Sequence, residues 1–214
     1  MDAIKQSQKA LNRAVEVLKN GGVVIFPTDT VYGFLALADN GKAIEKIYKI
    51  KKRPRSKPLA VFVKDIKMAK TLAEISEKQE KILKKRWPGK FTFILYSGVI
   101  PAKAGIQSKS KNPGFRIKPG MTSLIIKNNK IGIRIPKHEF LQKLLKKINK
   151  PLAQTSVNIS GQPALTKISD IINLFKNRST SEVEQFLIID AGNLPKSKPS
   201  AIIDLTSEAL KRLR

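Results

Sequence analysis

Short apolar runs alternate with amphipathic helical patterns along almost the whole chain, and this alternation restricts the fold more than any other feature. Residues 23–26 are all apolar, which is typical of a strand buried on both faces, and a helical pattern at residues 7–20 precedes them. Further strands are predicted at residues 31–38, 59–63, 91–96, 131–135, 152–155, 186–190 and 201–205, and further helices at residues 40–50, 65–73, 76–87, 139–149, 168–177 and 207–213. The sequence therefore predicts an α/β fold with one mixed, largely buried sheet.

One stretch, at about residues 97–122, interrupts the alternation. It is rich in proline and glycine, lacks acidic residues and exceeds the usual limit of about 12 to 15 residues for a loop within a compact domain. The amino-acid sequence of this stretch resembles translated mobile palindromic repeats that some bacterial genomes carry inside reading frames. We therefore expect an exposed insertion within a single domain that spans residues 1–214.

The charge of the chain predicts anionic partners. Lys and Arg number 42 against 16 Asp and Glu, which gives a formal net charge of +26. Nucleotides, pyrophosphate, nucleic acid or an acidic membrane surface all suit such a charge. Of the cations, 33 are Lys and 9 are Arg, whereas planar recognition of phosphates and bases favours Arg. The excess of lysine therefore fits solvated surface side chains as well as a smaller basic functional cleft among them.

The residue types that are missing narrow the chemistry further. Cysteine is absent and His138 is the only histidine, which argues against disulfides, thiolate nucleophiles, Cys or His zinc clusters and a Ser-His-Asp triad. No apolar stretch approaches the roughly 20 residues of a membrane span, and no targeting segment is recognisable at the start of the sequence. We therefore expect a cytoplasmic protein whose chemistry uses Lys, Arg, Ser, Thr, Asp, Asn or backbone groups.

Three polar segments adjoin predicted strands, and each has a functional and a structural interpretation. The turn at residues 27–33 offers hydroxyls to a small ligand, or its Thr and Asp side chains simply bond their own backbone. The proline-stiffened loop at residues 51–58 carries five cations that suit a triphosphate, or that merely stabilise a helix C-terminus. Residues 154–163 present Ser, Asn and backbone donors to phosphate or adenine, or form an ordinary hydrogen-bonded loop.

Arg134 is a further candidate because it lies within a predicted apolar strand. Burying a guanidinium is costly unless it reaches a polar cleft or meets an anion. The loop at residues 51–58 lacks the glycine spacing of a P-loop, so a phosphate cradle of that kind is excluded. Arg134 is therefore a stronger functional candidate than any single lysine.

Taken in this order, the segments resemble the YrdC/Sua5 family, the threonylcarbamoyl-AMP synthases of tRNA modification. The shared motifs are Pro-Thr-Asp-Thr with Tyr-Gly (27–33), Lys-x-Arg-Pro with Lys-Pro-Leu (51–59), Trp-Pro-Gly with Phe-Thr (87–92), Arg-x-Pro-x-His (134–138), Ser-x-Asn-x-Ser-Gly (156–161), Ile-Asp-Ala-Gly (189–192) and Ser-Ala-Ile-Ile-Asp (200–204). The resemblance covers the chain apart from the insertion and is to the short, single-domain (TsaC-like) form. It implies a twisted mixed sheet flanked by helices, with a basic concave cleft.

The resemblance also implies a reaction. L-threonine and bicarbonate form a carbamate, whose oxygen attacks the α-phosphate of ATP and displaces pyrophosphate. The product, threonylcarbamoyl-AMP, is the donor from which the proteins of a t6A transfer complex modify adenosine 37 of ANN-decoding tRNAs. Mg²⁺ arrives with ATP, and no protein-bound metal is expected. Such chemistry needs orientation and charge neutralisation, which agrees with the residue types that the chain contains.

Roles for individual residues follow from the same resemblance. The catalytic pair is Lys51 and Arg53. ATP is expected to bind Lys51, Arg53, Lys57, Ser156 and Asn158, and L-threonine is expected to bind Thr30, Tyr32, Arg134, Gln154 and Ser200, with Arg134 pairing with the carboxylate. Three positions depart from the family pattern, because Phe62 replaces a common His, Thr155 a Pro and Ala201 a Thr. These changes put fine substrate selectivity in question.

Two other functions fit parts of the sequence. An RNA-binding protein would use a basic concavity for weak contacts with the backbone of tRNA or double-stranded RNA, although RNP and KH signatures are absent. A domain that handles carbamoyl-adenylate in hydrogenase maturation is related, but that activity belongs to much longer chains. A shift in melting temperature that requires threonine with ATP and Mg²⁺ would distinguish the synthase from the RNA-binding protein.

Overall fold

The structure, a computed structural model, describes residues 2–98, 122–176, 186–207 and 211–213. Its strands are β1 (Asp2–Lys5), β2 (Val23–Phe26), β3 (Gly33–Leu37), β4 (Ala60–Phe62), β5 (Phe91–Tyr96), β6 (Ile126–Lys127), β7 (Lys130–Arg134), β8 (Leu152–Ser156), β9 (Phe186–Asp190), β10 (Ala201–Asp204) and β11 (Lys211–Arg212). Its helices are α1 (Gln8–Lys19), α2 (Gly41–Lys51), α3 (Ile66–Lys70), α4 (Glu77–Arg86), α5 (Thr122–Ile125), α6 (Glu139–Ile148) and α7 (Ile168–Phe175).

All of these strands join one mixed sheet, which confirms the predicted fold class. The strand order is β1-β9-β2-β3-β8-β4-β7-β5-β10-β11, and β6 pairs with β7 at the side of this path. Strand β9 is parallel to both of its neighbours, and β4–β7 and β5–β10 are also parallel pairs, whereas the remaining pairs are antiparallel. The sheet therefore combines distant parts of the chain, as an α/β fold with crossover helices does.

Some sequence predictions differ from the structure. The helix predicted at residues 207–213 is wrong, because Lys211 and Arg212 pair with Asp204 and Ile203 as an antiparallel strand. Pairing at the sheet edge outweighs the local helical pattern there. Strands β1 and β6 and helix α5, which were not predicted, have only two to four residues each and so lack a readable period. Most of the predicted insertion, residues 99–121, lies outside the described residues.

The two faces of the sheet are covered differently. On the back face, α2, α3, α4 and α7 pack over the strands through residues such as Ile47, Leu83 and Ile171. On the front face, α1 and α6 cover β9, β2 and β3 through Leu11 and Leu144. The front side chains of β4, β7, β5 and β10 line an open cavity of about 410 Å³ instead. This uncovered half of the front face provides a cleft.

The single histidine belongs to the scaffold. His138 is the N-cap of α6, and its Nδ1 atom accepts a hydrogen bond from the Leu141 N–H at 3.2 Å. Burial lowers the pKa of His138, which favours the neutral ring that this cap requires.

Across the described residues, none of the helices is long and apolar enough to cross a membrane.

Candidate active site

The cavity on the front face, which we call the cleft, has a flat floor of small residues. Ala60, Thr92 and Gly132 lie side by side there on β4, β5 and β7. A methyl group on Gly132 would contact the Ala60 Cβ and the Thr92 Cγ2 at 3.6 Å, so the glycine leaves the floor level. The remaining lining residues are Pro58, Leu59, Ile94, Lys127, Asn128, Lys130 and Ile202.

Lys51 brings together three of the predicted nucleotide-binding residues. It is the last residue of α2 and only 1% exposed. Its Nζ donates hydrogen bonds to the Ser156 carbonyl oxygen (2.6 Å), the Asn158 carbonyl oxygen (3.0 Å) and the Asn158 Oδ1 (2.6 Å). The Ser156 hydroxyl donates to the same Oδ1 at 2.8 Å. The motifs at residues 51–58 and 154–163 therefore meet, as their resemblance to one site implies.

The electrostatic state of Lys51 is unusual. All three of its hydrogen-bond acceptors are neutral oxygens, and in the described part of the chain no carboxylate forms an ion pair with its Nζ. Burial, followed by the nearby positive charge of Arg53, lowers the pKa of Lys51 to about 7. Since the ammonium loses hydration without gaining a counter-charge, an anion placed near it would raise its pKa and restore its proton.

Arg53 stabilises the loop at residues 51–58 through hydrogen bonds to the backbone of the loop itself. Its Nε–H donates to the Lys57 carbonyl oxygen at 2.8 Å and its Nη2 to the Pro58 carbonyl oxygen at 3.0 Å. The Tyr48 hydroxyl lies 2.9 Å from the Lys57 carbonyl oxygen, and burial lowers the pKa of Arg53. This bracing orients Pro58, which lines the cleft. The loop is therefore ordered by its own arginine.

The other cations of the loop differ in how their charge is compensated. Arg55 forms a bidentate ion pair with Glu45. Lys57 is exposed, and its ammonium makes no hydrogen bond or ion pair to any residue that the structure describes. Lys57 is thus better placed than Arg55 to meet a ligand anion.

Arg134 does meet an anion, but the anion belongs to the protein. The guanidinium is 2% exposed, and its Nη2 donates to the Asp29 Oδ1 at 2.5 Å. Its Nε–H donates to the Gly89 carbonyl oxygen at 2.9 Å, and the other Asp29 oxygen accepts the Lys137 N–H at 3.1 Å. Asp29 was not predicted as a site residue, although its place between two threonines of the turn at residues 27–33 was a usable signal.

In the turn at residues 27–33, Thr28 shows the internal bonding that the structural interpretation predicts, whereas the Asp29 carboxylate bonds Arg134 and Lys137 instead. The Thr28 hydroxyl donates to the Val31 carbonyl oxygen at 2.7 Å and accepts the Thr30 N–H at 3.1 Å. The hydroxyls of Thr28 and Thr30 lie 3.0 Å apart. Both threonines are buried, so Thr30 is presented by a rigid turn beside the Asp29–Arg134 pair.

Tyr32 lies in the protein interior rather than on an exposed wall of the cleft. Its side chain is fully buried, its hydroxyl donates to the Gly192 carbonyl oxygen at 2.7 Å, and it accepts the Ala191 N–H at 2.9 Å. Burial raises the pKa of Tyr32. The phenol therefore fastens the start of β3 to the loop that leads to Ser200.

Two further predicted residues adjoin the cleft floor. Gln154 of β8 is half-buried and is paired with Ala60, so its side chain lies on the same front face. The Ser200 Oγ lies 2.9 Å from the Thr92 Oγ1. The cleft therefore has Gln154 on one side and Ser200 on the other, with Thr92 between them as a polar group that the sequence analysis did not assign.

The three departures from the family pattern have different surroundings. Phe62 is buried on the front face with its ring centroid 5.6 Å from the guanidinium of Arg134. Thr155 lies opposite Phe34 on β3, and Ala201 lies opposite Phe91 on the back face. Phe62 therefore contacts Arg134, a predicted threonine-binding residue.

Comparisons with known proteins agree on one family. Residues 16–214 match the family model Sua5_yciO_yrdC, whose description is "Telomere recombination". The chain is 32% identical over 210 residues to a putative threonylcarbamoyl-AMP synthase of Methanocaldococcus jannaschii, covering 98% of this chain and 87% of that protein. It is 27% identical over 201 residues to the uncharacterized protein YciO of Escherichia coli, covering 94% of this chain and 86% of that protein.

A solved structure extends the similarity to three dimensions. The structure of Sua5 from Pyrococcus abyssi complexed with L-threonine superposes with a TM-score of 0.79 at 28% sequence identity. The match covers 100% of this chain and 56% of that protein. The chain thus spans little more than half the length of this relative.

Proposed function

Because the chain belongs to the Sua5/YciO/YrdC family, we propose that it is a threonylcarbamoyl-AMP synthase. L-threonine and bicarbonate condense to the carbamate with loss of water, and the carbamate oxygen then attacks the α-phosphate of ATP. The bond from that phosphorus to the bridging oxygen breaks, and pyrophosphate leaves. The observation that carries the proposal is the buried Lys51, a cation whose partners are all neutral.

Lys51 is proposed to bind the phosphates and neutralise charge during adenylyl transfer. With its pKa at about 7 in the free protein, the group takes up a proton when a phosphate approaches, because the phosphate stabilises the ammonium form. Arg53 and Lys57 extend the positive charge toward the β- and γ-phosphates. Ser156 and Asn158, which already contact or adjoin Lys51, are the proposed ligands of the nucleotide.

We propose that Mg²⁺ is carried by the triphosphate. Asp29 and Asp204 lie near the cleft, but they form ion pairs with Arg134 and Lys130, so phosphate oxygens are better available to hold the ion. When bound there, Mg²⁺ supplies neutralisation of the departing pyrophosphate. This assignment needs no cluster of carboxylates.

Threonine recognition is proposed at the end of the cleft near Thr30, with Gln154, Ser200 and Arg134 as its polar partners. Asp29 neutralises much of the charge of Arg134, so the attraction between the guanidinium and a second carboxylate is weakened. Recognition therefore depends on neutral donors around the amino acid as well as on Arg134. Tyr32 supports this end of the cleft by fastening the loop at residues 191–192.

The product suits use in tRNA modification. We propose that the adenylate passes to separate transfer proteins that modify adenosine 37 of ANN-decoding tRNAs in the cytoplasm. An acyl adenylate of this kind is a reactive mixed anhydride, so a consuming step close to the synthase protects it from hydrolysis.

The proposal is tested by incubating the chain with ATP, Mg²⁺, bicarbonate and L-threonine. We expect pyrophosphate release together with a threonylcarbamoyl adenylate in the mass spectrum. Omitting threonine provides the control, and L-serine tests selectivity around Phe62. Pyrophosphate release of equal rate without threonine would contradict the assignment.

A further inference from the structure

A second cavity lies on the opposite face of the sheet from the cleft. It has a volume of about 760 Å³, against about 410 Å³ for the cleft, and the back side chains of Phe91, Ala201 and Ile203 form its floor. Their neighbours Thr92 and Ile202 face the cleft instead. Because side chains alternate along a strand, the two cavities share β5 and β10 but open in opposite directions. We call the second cavity the edge groove.

The edge groove is surrounded by positive charge. Arg86 ends α4, Lys90 precedes β5, Lys196 and Lys198 lie before β10, and Arg212 belongs to β11. No acidic residue is among the described residues that line the groove. Five cations from four separate segments therefore converge on one cavity, where a polyanion would relieve their mutual repulsion.

Some cations elsewhere on the surface are paired with carboxylates. The carboxylate of Glu80 on α4 accepts hydrogen bonds from Lys70 and Lys84, at 2.6 and 2.8 Å. Arg86 belongs to the same helix, six residues after Glu80. Arg86 instead lies over the ring of Phe91, with its guanidinium carbon 5.1 Å from the ring centroid. The Lys90 Nζ donates to the Ser197 hydroxyl, a neutral acceptor, at 3.2 Å. Arg86 and Lys90 of the groove therefore contact a ring and a hydroxyl, and within the described residues neither of them forms an ion pair.

The floor of the groove adds a preference among polyanions. Phe91 with the overlying Arg86 forms a stacked cation–aromatic surface, and Ile203 adds an apolar area beside it. Unpaired bases stack on such surfaces while the backbone phosphates contact Lys and Arg. An acidic peptide offers the charge without the stacking, and a compact phosphate engages only a fraction of five separated cations.

We infer that the edge groove binds a single-stranded nucleic acid, with backbone phosphates on the lysines and Arg212 and with a base on the Phe91–Arg86 surface. This site goes beyond the proposed synthase activity, because it lies on the other face of the sheet and shares no lining residue with the cleft. RNA and DNA single strands both offer this chemistry.

The test measures binding of fluorescently labelled oligouridine and oligothymidine by anisotropy at several salt concentrations. The double variant K196E/K198E reverses two groove charges, and K9E/K19E makes the same charge change at two exposed lysines of α1. We expect K196E/K198E to bind both strands at least about tenfold more weakly and to show a shallower salt dependence. We expect K9E/K19E to change affinity less than about twofold.

Two further measurements keep the inference open to refutation. Arg86→Gln lies outside the loop at residues 191–200, and it too should weaken binding severalfold while the melting temperature stays unchanged. Poly-L-glutamate serves as a polyanion without bases and should bind more weakly than either oligonucleotide. Equal losses in K196E/K198E and K9E/K19E, or equal affinity for poly-L-glutamate, would show general charge attraction and overturn the site. A preference for oligouridine would identify RNA as the ligand within the inferred class.

Discussion

Two buried cations in the candidate active site illustrate two uses of the same kind of charge. Lys51 and Arg134 are almost equally buried, at 1% and 2% exposure. Among the described residues, the hydrogen-bond acceptors of Lys51 are neutral oxygens, whereas Arg134 has the carboxylate of Asp29. The difference shows that burial alone does not identify a ligand-binding cation. The identity of the partners decides whether the charge is available to a substrate.

The two arrangements have different energetic consequences. Removing one member of a buried ion pair is costly, because the remaining ion has lost its hydration and no longer has a counter-charge to compensate. A lysine surrounded by neutral oxygens already bears part of that cost, which is why its pKa falls to about 7. We therefore expect changes at Asp29 to act on folding and changes at Lys51 to act on nucleotide chemistry.

The largest expected effect follows from Asp29→Asn. The amide keeps the shape of the side chain but removes the carboxylate that pairs with the buried Arg134, so the free energy of unfolding should fall by about 3 to 5 kcal/mol. Urea denaturation measures this change. Asp39→Asn is the matched control, because Asp39 pairs with the exposed Lys150 and its loss should cost less than about 1 kcal/mol. Equal losses in the two variants would remove the distinction between the pairs.

Lys51→Met tests the other member of the comparison. Methionine preserves much of the side-chain volume and removes the charge, so kcat/KM for ATP should fall by about 100-fold or more. Pyrophosphate release in the presence of threonine gives the rate, and the melting temperature monitors folding. Lys49→Met, at an exposed position of the same helix, should retain normal activity. A Lys51→Met variant that retains more than a tenth of the activity would refute the role of this cation.

The pKa of Lys51 predicts opposite effects of pH on stability and on binding. Its folded-state pKa is lowered to about 7 from 10.5, so between these values the unfolded chain binds more protons than the folded one. Because of Lys51, the free energy of unfolding should therefore increase as the pH rises from 7 toward 10.5. ATP binding requires the ammonium form, and its affinity should fall by up to about tenfold between pH 7.5 and 8.5.

Calorimetry can isolate this proton. ATP binding near pH 7.5 should be accompanied by proton uptake, which appears as a dependence of the binding heat on the ionisation enthalpy of the buffer. Lys51→Met should abolish the uptake, whereas titration of ATP itself would persist in both proteins. Identical uptake in the variant would contradict the assignment of the proton to Lys51.

The smallest expected effect concerns Glu45→Gln. Glu45 pairs with Arg55 in the same loop that Arg53 braces, but the arginine of this pair is exposed. Exposed ion pairs contribute little, so the KM for ATP should change by less than about twofold. A larger decrease in KM would show that Arg55, once released from Glu45, joins the phosphate-binding cations.

The sequence was sufficient for those features that depend on local patterns. Short apolar patterns predicted β2, β5, β7 and β9, and the family resemblance implied one ATP site for Lys51, Ser156 and Asn158, which do meet. The cost of burying Arg134 correctly indicated an anionic partner. Only the three-dimensional pairing of residues 29 and 134 shows that this partner belongs to the protein.

Features set by distant pairing were beyond the sequence. Strand β11 exists because residues 211–212 align with the edge strand β10, although their local pattern is helical. The small size of Gly132 has meaning only beside Ala60 and Thr92, which come from other strands. The edge groove likewise depends on four segments that no periodicity brings together.

The position of β9 has a consequence for synthesis of the protein. Residues 186–190 insert between β1 and β2, pairing Leu187 with both Asp2 and Val24. Until they emerge from the ribosome, the N-terminal strands lack the neighbour that would join them, and β2 presents an unpaired apolar edge. Such long-range parallel pairing is slow because it closes a very large loop. The nascent chain must therefore remain unaggregated until residues 186–190 have been translated and can complete this part of the sheet.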